Sequence, residues 1–273
     1  GHGVRELDHA DGRFRIRFGE NAASAPALVI ATGGPSIPKM GATGYAYDLA
    51  RRFGLKVIEP RPALVPLTLA EEDALFRSLS GVSAEVVARC GKTAFREAAL
   101  FTHKGLSGPA ILQISSYWRR GEPVGIDFLP SHQAGWLLKA KNETPRATLQ
   151  AALAGRLPNR LAAALSERIG LAGELANMPN RQLEDAEKRL ADWPFQPNGT
   201  EGFAKAEVTA GGISTDGLSS QSMQAKHMPG LYVIGEAVDV TGCLAVTIFN
   251  GPGPAAGRPV RQWQRPGARR CWH

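Results

Sequence analysis

The stretch Ala27-Leu28-Val29-Ile30-Ala31-Thr32-Gly33-Gly34 is a short apolar run that ends in two glycines. A continuous apolar run of this length is typical of a strand that is covered on both faces, as in a parallel sheet. Two later stretches repeat the design: Val208-Thr209-Ala210-Gly211-Gly212 and Gly230-Leu231-Tyr232-Val233-Ile234-Gly235. Together the three runs predict an α/β sheet in which each of these strands leads into a glycine corner.

The glycine corners indicate where a ligand would bind. In open α/β sheets ligands bind beyond the carboxyl ends of the strands, and glycine lets the backbone approach a ligand closely. Glu236 and Asp239 follow the last corner, and carboxylates in such a position accept hydrogen bonds from sugar or ribityl hydroxyls. For one corner alone, the simpler interpretation is a chain turn followed by a solvated loop or a helix N-cap. Three corners followed by two acids favour a nucleotide-type cofactor.

The sequence between the corners has a different residue pattern, which predicts short strands followed by helices. Residues 67–130 contain short β-like pieces separated by Gly, Ser and Pro, including residues 84–89, 110–114 and 124–129. Residues 144–192 have the leucine spacing of amphipathic helices, which we predict to pack within the protein rather than bind a partner. An α/β domain interrupted by an inserted β-rich and helical domain is therefore predicted. The predicted segments are 1–66 and 203–244 for the α/β domain, 67–202 for the insertion and 245–273 for a tail.

Composition and charge argue against several classes of protein. No window approaches 18 uninterrupted apolar residues, so no membrane-spanning helix is predicted. Five of the 32 basic residues lie in the last 16 positions, which leaves 27 basic against 25 acidic groups in the rest of the chain. A nucleic-acid surface requires basic residues on the folded face, and here they cluster in a tail. We therefore expect a small-molecule substrate, no nucleic-acid partner and no membrane partner, while the oligomeric state stays open.

The three cysteines, Cys90, Cys243 and Cys271, are an odd number without C-x-x-C spacing. This pattern predicts neither a disulfide framework nor a zinc site, and it favours a reducing, cytoplasmic setting. No metal site is expected.

Five ordered stretches carry a resemblance to a known family: residues 31–34 with 38–44, 62–67, 101–109, 206–212 and 230–242. They resemble bacterial FAD-dependent flavoproteins, a family that includes aminoacetone oxidase and the BaiN-like NAD(P)/FAD-dependent oxidoreductases. The resemblance extends over residues 26–244, which is 219 of 273 positions. Each motif alone is generic, and the specificity lies in their order.

The resemblance implies a glutathione-reductase-like FAD-binding domain whose insertion caps the flavin. The activity it implies is FAD-dependent hydride transfer between a small organic substrate and flavin, with NAD(P)H as a candidate co-substrate. By the same resemblance, Thr32, Gly33 and Gly34 would lie near the adenosine side of FAD. The residues expected toward the pyrophosphate, ribityl and flavin side are Gly211, Gly212, Gly235, Glu236 and Asp239. Ala31, Thr209 and Gly242 complete the implied cofactor-binding set.

His103 is the one candidate catalytic residue. It lies in the matched Thr-His-x-Gly-Leu-Ser-Gly-Pro segment, and the ordinary pKa of imidazole suits proton transfer near neutral pH. The alternative is a structural role for the compact turn that contains it.

Two parts of the family pattern are missing from the sequence. It has no G-x-G-x-x-G turn to receive a pyrophosphate, and it does not begin with Met, so we expect an incomplete copy. After Gly242 the family continues with a Gly-Gly-Tyr-Asn turn and a helix, whereas the prolines at positions 252, 254 and 259 exclude a regular helix here. Back-translation with one base restored after the Leu244 codon yields that turn and helix. A single-nucleotide deletion is therefore our hypothesis, and it makes residues 245–273 an aberrant tail that we expect to be disordered.

These departures affect the expected activity. Without the pyrophosphate turn and the final helix, the 273-residue chain is expected to hold FAD poorly and to be impaired as an oxidoreductase. The alternative function is a non-catalytic remnant or binding module that does not retain FAD.

Overall fold

The chain opens with a small antiparallel sheet in the computed structural model, which describes residues 3–240. Its strands are β1 (Val4–Ala10), β2 (Arg13–Phe18) and β3 (Asn21–Ala25). Asp11 and Gly12 connect the first two strands with φ angles of 54° and 70°, the positive values that a type I′ hairpin turn requires. Phe14 on β2 points into the core and is 1% exposed, so one face of this sheet is anchored by apolar packing.

The first corner strand and the helix after it come next. They are β4 (Leu28–Ile30) and α1 (Tyr45–Arg52), followed by β5 (Val57–Ala63). Ala46, Leu49 and Ala50 form the buried face of α1. The expectation that the first corner strand is covered on both faces is wrong for the described residues, because Val29 in the middle of β4 is 52% exposed.

The inserted segment is built on a seven-stranded antiparallel sheet with helices beside it. Its first elements are β6 (Leu67–Leu69), α2 (Ala74–Arg77), β7 (Ser83–Cys90), β8 (Thr93–Phe101), β9 (Gly105–Ser107), α3 (Pro109–Ser115) and β10 (Val124–Asp127). The remaining elements are α4 (Trp136–Glu143), α5 (Leu149–Ala154), α6 (Asn159–Ile169), α7 (Asn180–Ala191), β11 (Trp193–Phe195) and β12 (Pro197–Thr200). The strand order is β11-β10-β7-β8-β9-β6-β12.

Helix α3 corrects one prediction, since residues 110–114 were expected to be β-like. Gly108, with a φ of 88°, turns the chain, and Pro109 occupies the first helical position, where its missing N–H costs nothing. Ala110, Ile111 and Ile114 are fully buried on the face of α3 that packs in the core of the insertion. A short apolar run does not distinguish a buried helix from a buried strand, and the Gly-Pro start is what decides here.

The last two strands return to the first part of the chain. β13 (Val208–Ile213) pairs antiparallel with β5, and β14 (Leu231–Val233) pairs parallel with β4. A parallel bridge between Ile213 and Val238 joins β13 to the segment that follows β14. The segments before and after the insertion therefore build one region together.

Apolar residues form two separate cores. One contains residues from Leu67 to Phe195, and the other contains residues from Leu7 to Leu55 together with residues from Ile213 to Val238. The mixed α/β class is confirmed, whereas the predicted boundaries at 66/67 and 202/203 stay a prediction. The predicted tail, residues 245–273, lies outside the described residues. None of the helices between residues 3 and 240 is long and apolar enough to cross a membrane.

Candidate cofactor site

The Glu236 side chain belongs to the corner after β14, and its carboxylate lies between strand β13 and the corner after β4. Its Oε1 accepts a hydrogen bond of 2.7 Å from the backbone N–H of Thr209. Its Oε2 lies 3.7 Å from the position that a Cβ atom would take at Gly33. One oxygen is thus used to hold β13, and the other faces the corner that follows β4.

Two further contacts bring the corners into close packing. A Cβ atom at Gly34 would lie 2.5 Å from Thr209 Oγ1 and 2.9 Å from the Tyr47 hydroxyl. A Cβ atom at Gly212 would lie 2.7 Å from the carbonyl oxygen of Ala237. The three glycine-containing stretches therefore lie around one point, as a shared ligand site requires.

The middle stretch differs from its prediction, because Gly211 and Gly212 lie inside β13 and do not follow a strand end. The pairing with β5 shifts by one residue between Ala210 and Gly212, which is a β-bulge. Gly211 has a φ of 82°, and a Cβ atom there would clash with the carbonyl oxygen of Glu59. In this arrangement the two glycines let β13 approach its neighbours, and both are buried.

Exposure divides the predicted site residues into two groups. Gly34, Thr209, Gly211 and Gly212 are buried, Gly33 and Asp239 are half-buried, and Ala31, Thr32, Gly235 and Glu236 are exposed. The backbone at Gly235 is open, since a Cβ atom there would have no neighbour within 4 Å. A ligand would therefore contact the exposed residues, and the buried residues would pack beneath them and hold them in place. Gly242 lies outside the described residues.

Tyr47 belongs to this site although the sequence analysis did not select it. Its hydroxyl is buried and makes no hydrogen bond of normal geometry within residues 3–240, although the Thr209 side chain lies beside it. Burial raises the pKa of the Tyr47 phenol to about 12, and the charge of Glu236 adds to the rise. The signal in the sequence was a tyrosine on the apolar face of a short helix, a place where its hydroxyl needs a partner.

Arg61 is a second residue that the sequence analysis missed. It lies on β5 opposite Ala210 in the register, and its Nη2 donates a 2.7 Å hydrogen bond to the Ser116 carbonyl in the insertion. Burial lowers the pKa of its guanidinium, as does the nearby Arg119, while Asp239 acts in the opposite direction. Arg61 thus joins the corner region to the insertion.

The chemistry of these groups fits the polyol and sugar parts of FAD. Glu236 and Asp239 supply carboxylate acceptors for hydroxyl groups, Thr32 supplies a hydroxyl, and Gly235 supplies open backbone. The phosphates of FAD are matched less well, because the sequence from residue 3 to residue 240 contains no G-x-G-x-x-G turn.

His103 lies away from any polar partner. It is exposed in the turn between β8 and β9, and its side chain makes neither a hydrogen bond nor an ion pair within residues 3–240. Thr102 Oγ1 holds this turn by accepting hydrogen bonds from the backbone N–H groups of Lys104 and Gly105. The catalytic role of His103 stays a prediction. The hydrogen bonds that stabilise the turn come from Thr102 and not from His103.

Comparison with known proteins gives the family. A family model described as "HI0933-like protein barrel and H2TH domain" matches residues 61–208. A ribosomal RNA dihydrouridine synthase of Haemophilus influenzae is 42% identical over 236 residues, covering 85% of this chain and 59% of that protein. The protein of the same name from Escherichia coli is 46% identical over 228 residues, covering 80% and 55%.

A third relative is a 3-dehydro-bile acid delta(4,6)-reductase of Clostridium scindens, which is 31% identical over 249 residues, covering 84% of this chain and 60% of that protein. The chain thus spans little more than half the length of these curated relatives.

Proposed function

We propose, from the premise that the chain belongs to the HI0933-like family of flavoproteins, that it is part of an FAD-dependent reductase. Its substrate class would be a carbon–carbon double bond conjugated to a carbonyl group. The observation that carries this proposal is the meeting of Gly33, Thr209 and Gly235 around the Glu236 carboxylate. The relatives add the reaction type, since their names denote saturation of a uridine base in one case and reduction of a delta(4,6) steroid in the other.

Within this class we propose a uridine of ribosomal RNA as the substrate and a cytoplasmic location. Support comes from the two relatives named for that activity, which share 42% and 46% identity with the chain, against 31% for the bile-acid reductase. This departs from the expectation of a small-molecule substrate without a nucleic-acid partner. That expectation counted charges along the chain, and such a count does not reveal which basic residues meet on the folded surface.

The chain's own residues would hold and orient the cofactor. Bound FAD would supply the hydride, and a reduced nicotinamide would supply the two electrons. Glu236 Oε2 and the Asp239 carboxylate would accept hydrogen bonds from the polyol hydroxyls. Because Glu236 Oε1 is already held by the Thr209 N–H, the side chain is oriented before ligand binding, which reduces the ordering cost of binding.

The reaction can be tested with the full chain, FAD, NADPH and an unmodified ribosomal RNA transcript, with dihydrouridine measured by mass spectrometry. A 3-oxo-4,6-diene steroid serves as the small-molecule substrate in parallel. We expect dihydrouridine formation that Glu236→Gln reduces and that Arg181→Gln, on the exposed side of α7, leaves unchanged. Steroid reduction without dihydrouridine would favour the small-molecule substrate. No reaction combined with no flavin binding would favour a non-catalytic remnant.

A further inference from the structure

At the end of helix α3, two arginine side chains donate hydrogen bonds to three successive backbone carbonyl groups. Arg61 Nη2 donates to the Ser116 carbonyl at 2.7 Å. Arg119 Nη1 donates to the carbonyls of Tyr117 and Trp118 at 3.3 and 3.1 Å. Two guanidinium groups from segments far apart in sequence therefore bind neighbouring carbonyl groups of one turn. These bonds also satisfy carbonyls at a helix C-terminus, where positive charge is favourable.

The positive charges at this point exceed what capping a helix end requires. Within residues 3–240, neither Arg61 nor Arg119 forms an ion pair, and a guanidinium has five N–H donors, of which only one or two are used here. Arg120 follows directly and is exposed. The nearest carboxylate on the same turn, that of Glu122, accepts from the backbone N–H of Arg119 rather than from its side chain.

The same turn presents an aromatic ring to solvent. Tyr117 is 37% exposed, and its ring packs against Phe95 with 5.7 Å between ring centres. Single-stranded RNA is commonly recognised by aromatic rings that stack on unpaired bases together with arginines that bind phosphates. Both kinds of group are present here within four consecutive residues.

The turn is fixed relative to the candidate cofactor site. The Ser115 hydroxyl accepts from the backbone N–H of Val65 at 3.0 Å, and the Ser116 hydroxyl accepts from that of Leu64 at 3.3 Å. Arg61 lies opposite Ala210, the neighbour of Thr209 on β13. A ligand that touches Arg61 is therefore adjacent to the strand that Glu236 holds.

We propose that Arg61, Tyr117, Arg119 and Arg120 form an RNA-contact surface, here named the arginine turn. Its arginines would bind backbone phosphates and its tyrosine would stack on an unpaired base beside the target uridine. This inference rests on the proposed RNA substrate. It adds the surface by which that substrate would be held.

The salt dependence of RNA binding tests the arginine turn. The full chain is titrated into a fluorescently labelled, uridine-containing stem-loop RNA at several salt concentrations, with anisotropy as the readout. Each lost phosphate contact to an unpaired strand should reduce the steepness of log K against log salt by about 0.7, which corresponds to roughly fourfold weaker binding near 0.15 M salt. Arg119→Gln combined with Arg120→Gln should therefore weaken binding roughly 15-fold. Tyr117→Leu should weaken it roughly tenfold without a change in slope.

Controls separate this surface from other roles of the same residues. Arg181→Gln on α7 should leave both the affinity and the slope unchanged. Arg120→Gln alone should lower the slope without a change in thermal melting, because its side chain makes no hydrogen bond or ion pair within residues 3–240. An unchanged slope in the double variant, while the unsubstituted chain binds RNA and forms dihydrouridine, would overturn the arginine turn and leave the proposed function standing.

Two other outcomes would also overturn the proposal. If flavin binding, measured by flavin fluorescence, falls in the double variant while RNA binding does not, the arginines serve the cofactor. If the unsubstituted chain neither binds RNA nor forms dihydrouridine, both the proposed RNA substrate and the arginine turn are wrong.

Discussion

Replacing Gly34 by alanine tests the packing of the corners directly. The new Cβ atom would lie 2.5 and 2.8 Å from Oγ1 and Cβ of Thr209, and 2.9 Å from the Tyr47 hydroxyl. Ordinary van der Waals contact begins near 3.4 Å, so Thr209 would have to move by nearly 1 Å. That movement is opposed, because the Thr209 N–H is bonded to Glu236 and its hydroxyl to Ser36. Overpacking of this kind destabilises a protein by about 1–3 kcal/mol.

The expected loss corresponds to a Tm lower by about 4–8 °C for a 2 kcal/mol effect in a chain of this size. Thermal melting followed by circular dichroism measures it. Gly155→Ala is the matched control, since Gly155 has a φ of −71° and its Cβ atom would meet only a carbonyl oxygen at 3.8 Å. Gly155→Ala should leave the Tm equal or slightly higher. If the Gly34→Ala protein has the same Tm as the unsubstituted chain, the close approach of β4, α1 and β13 is refuted.

Three further results are expected. Tyr47→Phe should raise the free energy of unfolding near neutral pH by about 1 kcal/mol, because it removes a buried hydroxyl that has no hydrogen-bond partner within residues 3–240. Since the folded pKa of Tyr47 is raised from 10 to about 12, the phenol of the unfolded chain ionises first, and the stability of the unsubstituted chain falls further as the pH rises from 10 toward 12. The phenylalanine variant cannot ionise, so urea unfolding across that range should show a smaller loss of stability in the variant. Glu236→Gln should raise the Kd for FAD by roughly tenfold in a flavin-fluorescence titration, with little effect on folding, because its amide oxygen can still accept from Thr209. The purified chain should show a flavin absorption band well below one FAD per chain, and coding DNA incompatible with the restored frame after Leu244 would refute the deletion hypothesis.

The corners could be predicted from the sequence because their signals are local. An apolar run followed by glycine identifies β4 and β14 from a few adjacent residues, and the ordered motifs identified the flavoprotein family, which the comparisons confirm. The bulge at Gly211 could not be predicted in this way. A glycine pair after an apolar run has the same pattern at a strand end and inside a strand, and only the pairing with β5 separates the two.

Tyr47, Arg61 and Arg119 were missed for a different reason. Each acquires its role from a partner more than 50 residues away in sequence or from a neighbour whose backbone geometry is set by the fold. The charge distribution along the sequence drew attention to the arginine-rich C-terminal end. Arg61 and Arg119 belong to the rest of the chain, in which basic and acidic residues are nearly balanced, so the charge count did not single them out. Pairing across such distances depends on tertiary structure, which local patterns do not encode.

The junction between the two apolar cores fixes the position of α3 relative to the chain that follows β5. Apolar contacts are not directional, so two cores in contact can slide against each other at little cost. Here the chain crosses between them at Leu64 and Val65, whose N–H groups bond to the buried hydroxyls of Ser116 and Ser115. Buried polar groups must be paired, and hydrogen bonds have a preferred angle, so these bonds select one orientation. The pairing of β5 with β13 sets the place of Arg61, and the serine bonds hold the end of α3 so that the Ser116 carbonyl stays within reach of Arg61. A substrate bound at the end of α3 would therefore have a fixed position relative to the Glu236 corner.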